Sequence, residues 1–517
     1  MIDKTEVSDN LRKIAKTSLF VFIGVFLSKV FTYLYRIIIA RYLGSEVYGL
    51  FSMALMISGF FISFSSLGLS EGLLRYVSFY RGKKDSDRLN YIIDLVKKIS
   101  LISGLIAGLA LFFLARFISI TFFNNPELII FLQLFGILIP IYVLSGVFVS
   151  VVRSFEKISF YSFVNNILQN AVKLLGLITL LLLGLKTNAV IFSYILGILS
   201  MLIAAFLFCK YKLAKVFTKY NLPGKEKEEI RKNLLFYSLP MMFSGIIFTI
   251  FYWIDTFVIG FVLSRQISPS GGAQYVGFYN AAIPIVALLS IVPDLLLQLF
   301  FPLITKEFAQ DKLQTIKELS KQVSKWIFFL NLPLFLIMFF FPEQIIFLLF
   351  GDEYLVVSNV VRILSLSAIF SSLGFIPQHL ILMKGKSNFI LKILIVMSLV
   401  NLVLDFILVP KYGMTGAAIA TMTVWIIYNI ILIFKIRNIF CFIPFRKKMF
   451  NPLLFLVPFI VLLIFLRQNI SLGIIPFIFL SIIFFMIYLF LLFMTKSFDE
   501  YDISILKSIR SKISKKH

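Results

Sequence analysis

The sequence predicts an all-α integral membrane protein of about fourteen transmembrane helices, and three observations predict it. Hydrophobic residues make up 60% of the 517 and charged residues only 15%, an excess over soluble domains that a soluble core cannot bury and lipid can. Apolar runs of about 20 residues, the length a helix needs to cross hydrocarbon, recur along the whole chain. The 50 Lys and Arg residues fall in short clusters between those runs.

The first run, 17–40, follows Lys4, Arg12, Lys13 and Lys16 and is too long for the core of a signal peptide, so it reads as an uncleaved helix. Further spans follow at 48–78, 95–120, 127–152, 158–184 and 187–209, then at 233–263, 274–303, 322–342, 360–383, 387–409 and 415–434. Spans 452–467 and 471–494 end the series as a tight hairpin around Arg467-Gln468-Asn469-Ile470. With the N-terminus inside, the inner segments hold 39 basic residues and the outer ones seven, alternating at every loop. The positive-inside rule then places both termini in the cytoplasm. The net charge of +25 reads as topology and attraction to anionic membrane lipids, and nucleic acid is not an expected partner. Two cysteines, Cys209 and Cys441, allow neither a disulfide framework nor a cysteine metal site.

The first twelve spans read as six plus six. Tyr48-Gly49-Leu50-Phe51 opens span 2 and Val276-Gly277-Phe278-Tyr279 opens span 8, an offset of 228. Thr187-Asn188-Ala189 and Thr415-Gly416-Ala417 precede spans 6 and 12 at the same offset. Six is even, so the halves are parallel repeats about an axis along the membrane normal, the arrangement of transporters with a central cavity. The organisation is therefore an N-lobe at 1–215, a connector at 216–232 containing Lys225-Glu226-Lys227-Glu228-Glu229, a C-lobe at 233–436, a hairpin at 437–495 and a basic tail at 496–517. The tail alternates Ile with Lys and Ser and reads either as a helix on the inner leaflet or as a disordered segment.

Ionisable residues inside hydrocarbon are functional hypotheses by default, because each costs at least about 2.5–3.5 kcal/mol to insert. The first half carries Lys29, Arg36, Glu71, Arg75 and Lys173; the second carries Asp255, Asp294 and Asp405. Lys29 and Arg36 share a face of span 1, and Lys173 lies midway through span 5. They read either as a basic cavity for an anionic group, or as residues that pair with the acids of the other half or snorkel to an interface. Glu71 and Arg75 are four apart and read as a pair on one face, with a structural or gating role. Asn401 and Asp405 project from one face of span 11. Such oxygens suit a hard cation, hold a proton equally well, or pair with the basic residues. His379 follows Pro377 and reads as lining a cavity or as packing.

Several stretches resemble the polysaccharide-transporter family. They are Ile39-Ala40-Arg41-Tyr42-Leu43-Gly44-Ser45-Glu46-Val47-Tyr48-Gly49-Leu50-Phe51, Leu67-Gly68-Leu69-Ser70-Glu71-Gly72-Leu73-Leu74-Arg75-Tyr76, Trp253-Ile254-Asp255-Thr256, Leu348-Leu349-Phe350-Gly351-Asp352-Glu353-Tyr354 and Val409-Pro410-Lys411-Tyr412-Gly413-Met414-Thr415-Gly416-Ala417-Ala418. The resemblance covers roughly residues 15–435 and extends to a superfamily that also holds multidrug exporters and the lipid II flippase. It implies a plasma-membrane flippase moving a polyprenyl-(pyro)phosphate-linked oligosaccharide from inner to outer leaflet, with glycan-assembly enzymes as partners. It also implies a cation site, for Na+ or H+, from Asp255, Asn401, Asp405, Thr421 and the Ala417 carbonyl. By the same resemblance the last two spans hold the lipid tail, although they read equally well as a packing hairpin. The alternative function is a multidrug or small-metabolite antiporter. No cofactor and no enzyme activity are expected, since the short outer loops carry only Glu46, Glu127, Glu343, Asp352 and Glu353 as acids.

The charge map makes a direct prediction. Reporters that fluoresce only in the cytoplasm, fused after residues 85, 220 and 311, are expected to light up, and those fused after 124, 268 and 412 to stay dark; the reverse pattern would invert the topology.

Overall fold

The computed structural model describes residues 4–213, 216–446, 449 and 474–494, and every regular element among them is helical. The expected span at 452–467 and the tail at 496–517 lie outside the described residues. Among the described residues eleven helices are long and apolar enough to cross a membrane, and the chain is a multi-pass membrane protein.

The helix α1 (Lys4–Ser65) contains the first two expected spans. Gly44, at φ 85° and ψ 172°, interrupts it, a conformation essentially restricted to glycine, so one span ends and the next begins without a loop. The second span is not continuous over 48–78 as expected. Leu67 and Gly68 both take positive φ, and the chain restarts as α2 (Leu69–Gly82). Close packing explains the bend: a Cβ on Gly68 would overlap the Ser238 carbonyl oxygen, and one on Gly72 the Ser238 hydroxyl. The backbone of α2 thus lies directly on α8 (Gly224–Gln266).

Helices α3 (Ser86–Phe123) and α4 (Leu128–Ser154) form a hairpin. Asp85 caps α3 by accepting from the Arg88 amide at 3.0 Å. Gly104, Gly108 and Gly136 line the contact, where a Cβ on Gly136 would stand 2.8 Å from the Gly108 carbonyl oxygen. Small residues hold helices together by close approach where lipid removes the hydrophobic drive. The other face of α3, Ile102-Ile106-Leu109-Phe113-Phe117, is more than half exposed, as a lipid-facing stripe must be.

The fifth span is built from α5 (Ile158–Ser162), a π-helical turn over 163–168 and α6 (Gln169–Leu182), and the sixth is α7 (Lys186–Lys212). The connector read at 216–232 is not a separate element beyond Gly224. Its Lys-Glu run forms the first turns of α8, one helix of 43 residues, because Lys and Glu favour helix and Glu226 complements the N-terminal dipole. The eighth span is also divided: after Pro284, a 3₁₀ turn at 288–290 separates α9 (Pro269–Ala287) from α10 (Ile291–Phe308). The Asn331 side chain donates to the Leu289 carbonyl at 2.9 Å, satisfying an acceptor in that turn. The remaining elements are α11 (Leu313–Phe340), α12 (Pro342–Phe350), α13 (Ser358–Met383), α14 (Ser387–Tyr412), α15 (Met414–Phe440) and α16 (Ile474–Met494). In packing, α16 covers α11 through Phe484 and Tyr488, whose hydroxyl donates to the Phe329 carbonyl at 2.9 Å.

Packing divides the chain into two compact units, 1–281 with 394–417, and 282–393 with 418–517. In the first unit α1 and α9 approach backbone to backbone. A Cβ on Gly49 would overlap the Ala273 carbonyl oxygen, and one on Gly277 the Ser45 carbonyl oxygen. The contact is reciprocal: Gly49 and Gly277, and Ser45 and Ala273, each stand 228 apart, the period of the sequence repeat.

Gly277→Ala is expected to force these backbones apart and to destabilise by about 1–3 kcal/mol. Gly245→Ala, where nothing lies within 4 Å, is expected to leave stability unchanged or to raise it. Thermal unfolding in detergent checks the pair, and equal midpoints would contradict the packing argument.

Candidate functional site

Two constellations lie in the first unit. The first is a cavity of about 80 Å³ lined by Tyr35, Arg36, Phe51, Asn170, Lys173 and Tyr194, among others. The α1 helix supplies Tyr35 and Arg36, α6 supplies Lys173 just after the π-helical turn, and α7 supplies Tyr194. The Lys173 stem crosses Gly197 of α7, where any Cβ would overlap it. Its ammonium stands 4.9 Å from the centroid of the Tyr194 ring, a cation–π contact. The Tyr35 hydroxyl donates to the Val190 carbonyl at 2.8 Å, and Asn170 donates to the Ser28 hydroxyl at 2.8 Å, so α1 is bonded to both neighbours. No acidic residue lines the cavity among the described residues. Two cations confined there repel each other, and an anion between them relieves that repulsion. Lys29 is half-buried but does not line this cavity. It shares a helix face with Arg36 but lies about 10 Å away along the axis.

The second constellation is acidic. Asn401 on α14 donates through one amide nitrogen to Asp255 Oδ1 of α8 at 2.8 Å and to Asp405 Oδ2 at 3.0 Å. The Tyr279 hydroxyl of α9 donates to Asp255 Oδ2. Asp405 is fully buried, and its Oδ1 has no hydrogen-bond partner among the described residues. Two carboxylates converging on one amide in a buried site repel each other unless a cation or a proton joins them. Turned about its last torsion, Asn401 presents a carbonyl oxygen to the same point. Among the described residues no group of three or more His, Cys, Asp and Glu residues suited to a metal ion occurs; oxygens such as these are of the kind a hard cation or a proton takes. Ala417 lies fully buried in the first turn of α15 in the same unit. Thr421 comes one turn later and belongs to the second unit.

Glu71 and Arg75 do not pair with each other. Glu71 faces Arg153 of α4 at 3.5 Å, and the Arg75 guanidinium sits 4.3 Å from the Tyr237 ring centroid. The cause is the packing of α2 between α4 and α8, which gives each side chain a partner on a different neighbour. In the second unit, His379 packs against Phe301 and Phe375 with its Nδ1 2.8 Å from the Phe375 carbonyl oxygen. Asp294 sits in the first turn of α10, where the helix dipole favours a carboxylate.

Sequence reasoning missed Tyr35, Tyr194 and Tyr279. The signal for Tyr279 was present, because it ends the motif that marks the repeat and its counterpart 228 residues earlier is Phe51, a lining residue of the basic cavity. Lys173 and Asn401 are also 228 apart. Two residues of one constellation thus stand at this offset from two of the other, while Arg36, Asp255 and Asp405 fall opposite Ser264, Leu27 and Leu177.

Comparison with known proteins agrees with this architecture. A family model described as "Polysaccharide biosynthesis protein" matches residues 14–308, and a second, MatE, matches 240–407. An uncharacterized membrane protein of Methanocaldococcus jannaschii is 24% identical over 96% of this chain and 97% of its own length. A putative O-antigen transporter of Shigella flexneri is 24% identical over 74% of this chain and 88% of its own. Among solved structures, the lipid II flippase MurJ in an inward closed conformation superposes with a TM-score of 0.70 at 17% identity, covering 92% of this chain and 98% of that one. An inward-facing multidrug resistance transporter of the MATE family gives 0.68 at 14% identity, over 80% and 94%. At such identities the likeness is one of fold. The family model itself spans more than half of the sequence, and the chain belongs to the polysaccharide biosynthesis protein family.

Proposed function

We propose that this protein is a flippase that carries a polyprenyl-(pyro)phosphate-linked oligosaccharide from the inner to the outer leaflet of the plasma membrane by alternating access, coupled to a cation. The observation that carries the reading is the cavity holding Arg36 and Lys173, which no acidic residue lines among the described residues. A pyrophosphate is a compact dianion or trianion, and a planar guanidinium beside an ammonium held on an aromatic face supplies the fork and the point charge that such a group needs. The names of two relatives support it, a putative O-antigen transporter and a probable low-salt glycan biosynthesis flippase of Haloferax volcanii.

In this reading fourteen helices form two parallel six-helix lobes and a terminal hairpin, with both ends in the cytoplasm. The reciprocal Gly49 and Gly277 contact supports a pseudo-two-fold axis between the lobes. Asp255, Asn401 and Asp405 hold Na+ or H+, with Ala417 adding its carbonyl oxygen. A pocket of about 380 Å³ lined by Leu263, Gln266, Tyr275 and Val409 supports ion entry, because Val409 is one turn from Asp405.

A multidrug or small-metabolite antiporter is the second reading, favoured by the MatE match over 240–407. A cavity with two cations and no acid suits an anionic cargo better than the organic cations of a drug exporter.

The deciding experiment is translocation of a fluorescent polyprenyl-pyrophosphate oligosaccharide in proteoliposomes. Wild type is expected to flip it. Lys173→Ala is expected to slow flipping at least tenfold, the effect of losing about 1.4 kcal/mol of charge-assisted binding. Asp405→Asn is expected to remove any response to a sodium or proton gradient. Wild-type vesicles that ignore the lipid but expel small organic cations would replace the flippase with the antiporter.

A further inference from the structure

The basic cavity has a second, uncharged polar wall. Besides Arg36 and Lys173 it is lined by Thr32 of α1 and Asn170 of α6. The Asn170 amide nitrogen donates to the Ser28 hydroxyl and to the Asn166 carbonyl, each at 2.8 Å, which fixes the plane of the amide. The Thr32 hydroxyl stands 3.5 Å from Asn170 Oδ1, longer than the roughly 2.5–3.0 Å of a well-formed O–H···O bond. Both groups therefore keep hydrogen-bonding capacity at the cavity wall.

These two residues end a longer neutral strip. Gly24, Ser28, Thr32 and Arg36 stand four apart on α1, while Ser162, Asn166, Asn170 and Lys173 follow at four, four and three across the π-helical turn. The rows lie on each other: a Cβ on Gly24 would overlap the Ser162 hydroxyl. Asn166 donates to that hydroxyl at 3.1 Å, and Asn165 donates to Asn166 Oδ1 at 3.1 Å. The strip leads to the two cations. In the topology proposed above its other end faces the cytoplasm, the side from which a head group enters.

Helix packing does not by itself demand these groups. At the 228-residue offset Ser162, Asn166 and Asn170 fall opposite Ile390, Leu394 and Ser398 of α14, a helix without a π-helical turn, and Thr32 falls opposite Gly260. Ser398 donates to the Leu394 carbonyl of its own helix at 2.8 Å. Turns of the π type are rare within α-helices and concentrate at functional sites. Amides also bind helices to one another in lipid, and the Asn170 bond to Ser28 does so, but the long Thr32 contact adds little to it.

We propose that Thr32 and Asn170 form a saccharide subsite beside the cations, taking hydroxyl or acetamido groups of the sugar joined to the pyrophosphate. This rests on the function proposed above and adds the part of the substrate that the cavity selects. Arg36 and Lys173 satisfy the phosphates, whereas the adjoining sugar is uncharged and presents donors and acceptors together. A sugar hydroxyl between the two side chains donates to Asn170 Oδ1 and accepts from Thr32, replacing one long contact by two shorter bonds. A wall built for such a group discriminates against a ligand that lacks it, because its own polar atoms are then left unpaired. Ser28 and Asn166 are positioning residues that hold the Asn170 amide.

The test is calorimetric binding to the purified full chain at constant ionic strength. The probes are dimethyl diphosphate, with one methyl on each phosphate, and the glucosyl, galactosyl and N-acetylglucosaminyl methyl diphosphates, which carry the same charge. At least one glycosyl probe is expected to bind wild type about fivefold or more tighter than dimethyl diphosphate, the worth of roughly one net hydrogen bond. Thr32→Val, which keeps the shape and removes the hydroxyl, and Asn170→Ser are each expected to bring that ratio below about twofold. Dimethyl diphosphate itself is expected to bind both variants within about twofold of wild type. A purely structural role would weaken all probes alike and preserve the ratio; that outcome overturns the subsite, as does wild type that binds the four probes equally. Either leaves the cation cavity standing. Wild type that does not bind dimethyl diphosphate overturns the head-group reading and the subsite with it. Thr32→Val leaves the Asn170 bonds to Ser28 and Asn166 in place, so the test stands even where Asn170→Ser fails to fold.

Discussion

The seam between α1 and α9, where Gly49 and Gly277 leave no room for a Cβ, positions the rest of the first unit. In lipid two apolar helices gain little by covering each other, since the solvent is as apolar as they are, and association relies on close approach and on hydrogen bonds. At this seam the approach brings the Asn280 carbonyl within 3.1 Å of the Tyr48 hydroxyl. The same device recurs where α2 lies on Ser238 and where α3 meets α4. Glycine is therefore the residue that decides helix neighbours here, and large apolar side chains mostly decide what faces lipid.

Against that framework the charges are sorted by sign. Arg36 and Lys173 share a cavity, and Asp255 and Asp405 share one amide. Charges in hydrocarbon are expensive and persist where they act. Lys173 and Asn401, and Phe51 and Tyr279, stand 228 residues apart, one of each pair in each group. One group carries positive charge and the other negative charge.

Departures from the sequence reading concern local geometry. The interruption at Leu67 and Gly68 divides an apolar run that hydropathy alone treats as continuous. The Lys-Glu connector became the start of α8, since charge says nothing against helix. Glu71 and Arg75 satisfied the spacing rule for a helix-face pair, yet each met a better-placed partner on another helix. Spacing constrains only residues of one helix, and tertiary packing offers competitors from all sides.

The sequence by itself determined that the chain crosses the membrane many times through helices, because hydrophobic length and basic loop residues are set by the bilayer and need no knowledge of packing. It also supplied the 228-residue offset and the list of ionisable residues within the apolar spans. Only the tertiary structure decided which of those charges meet. Arg36 and Lys173 are far apart in sequence and share a cavity because Gly197 admits the lysine stem. Lys29 satisfies the same helical face and lies outside it. Tyr279 carries no charge to draw notice, and it joins the site because α9 packs closely on α8.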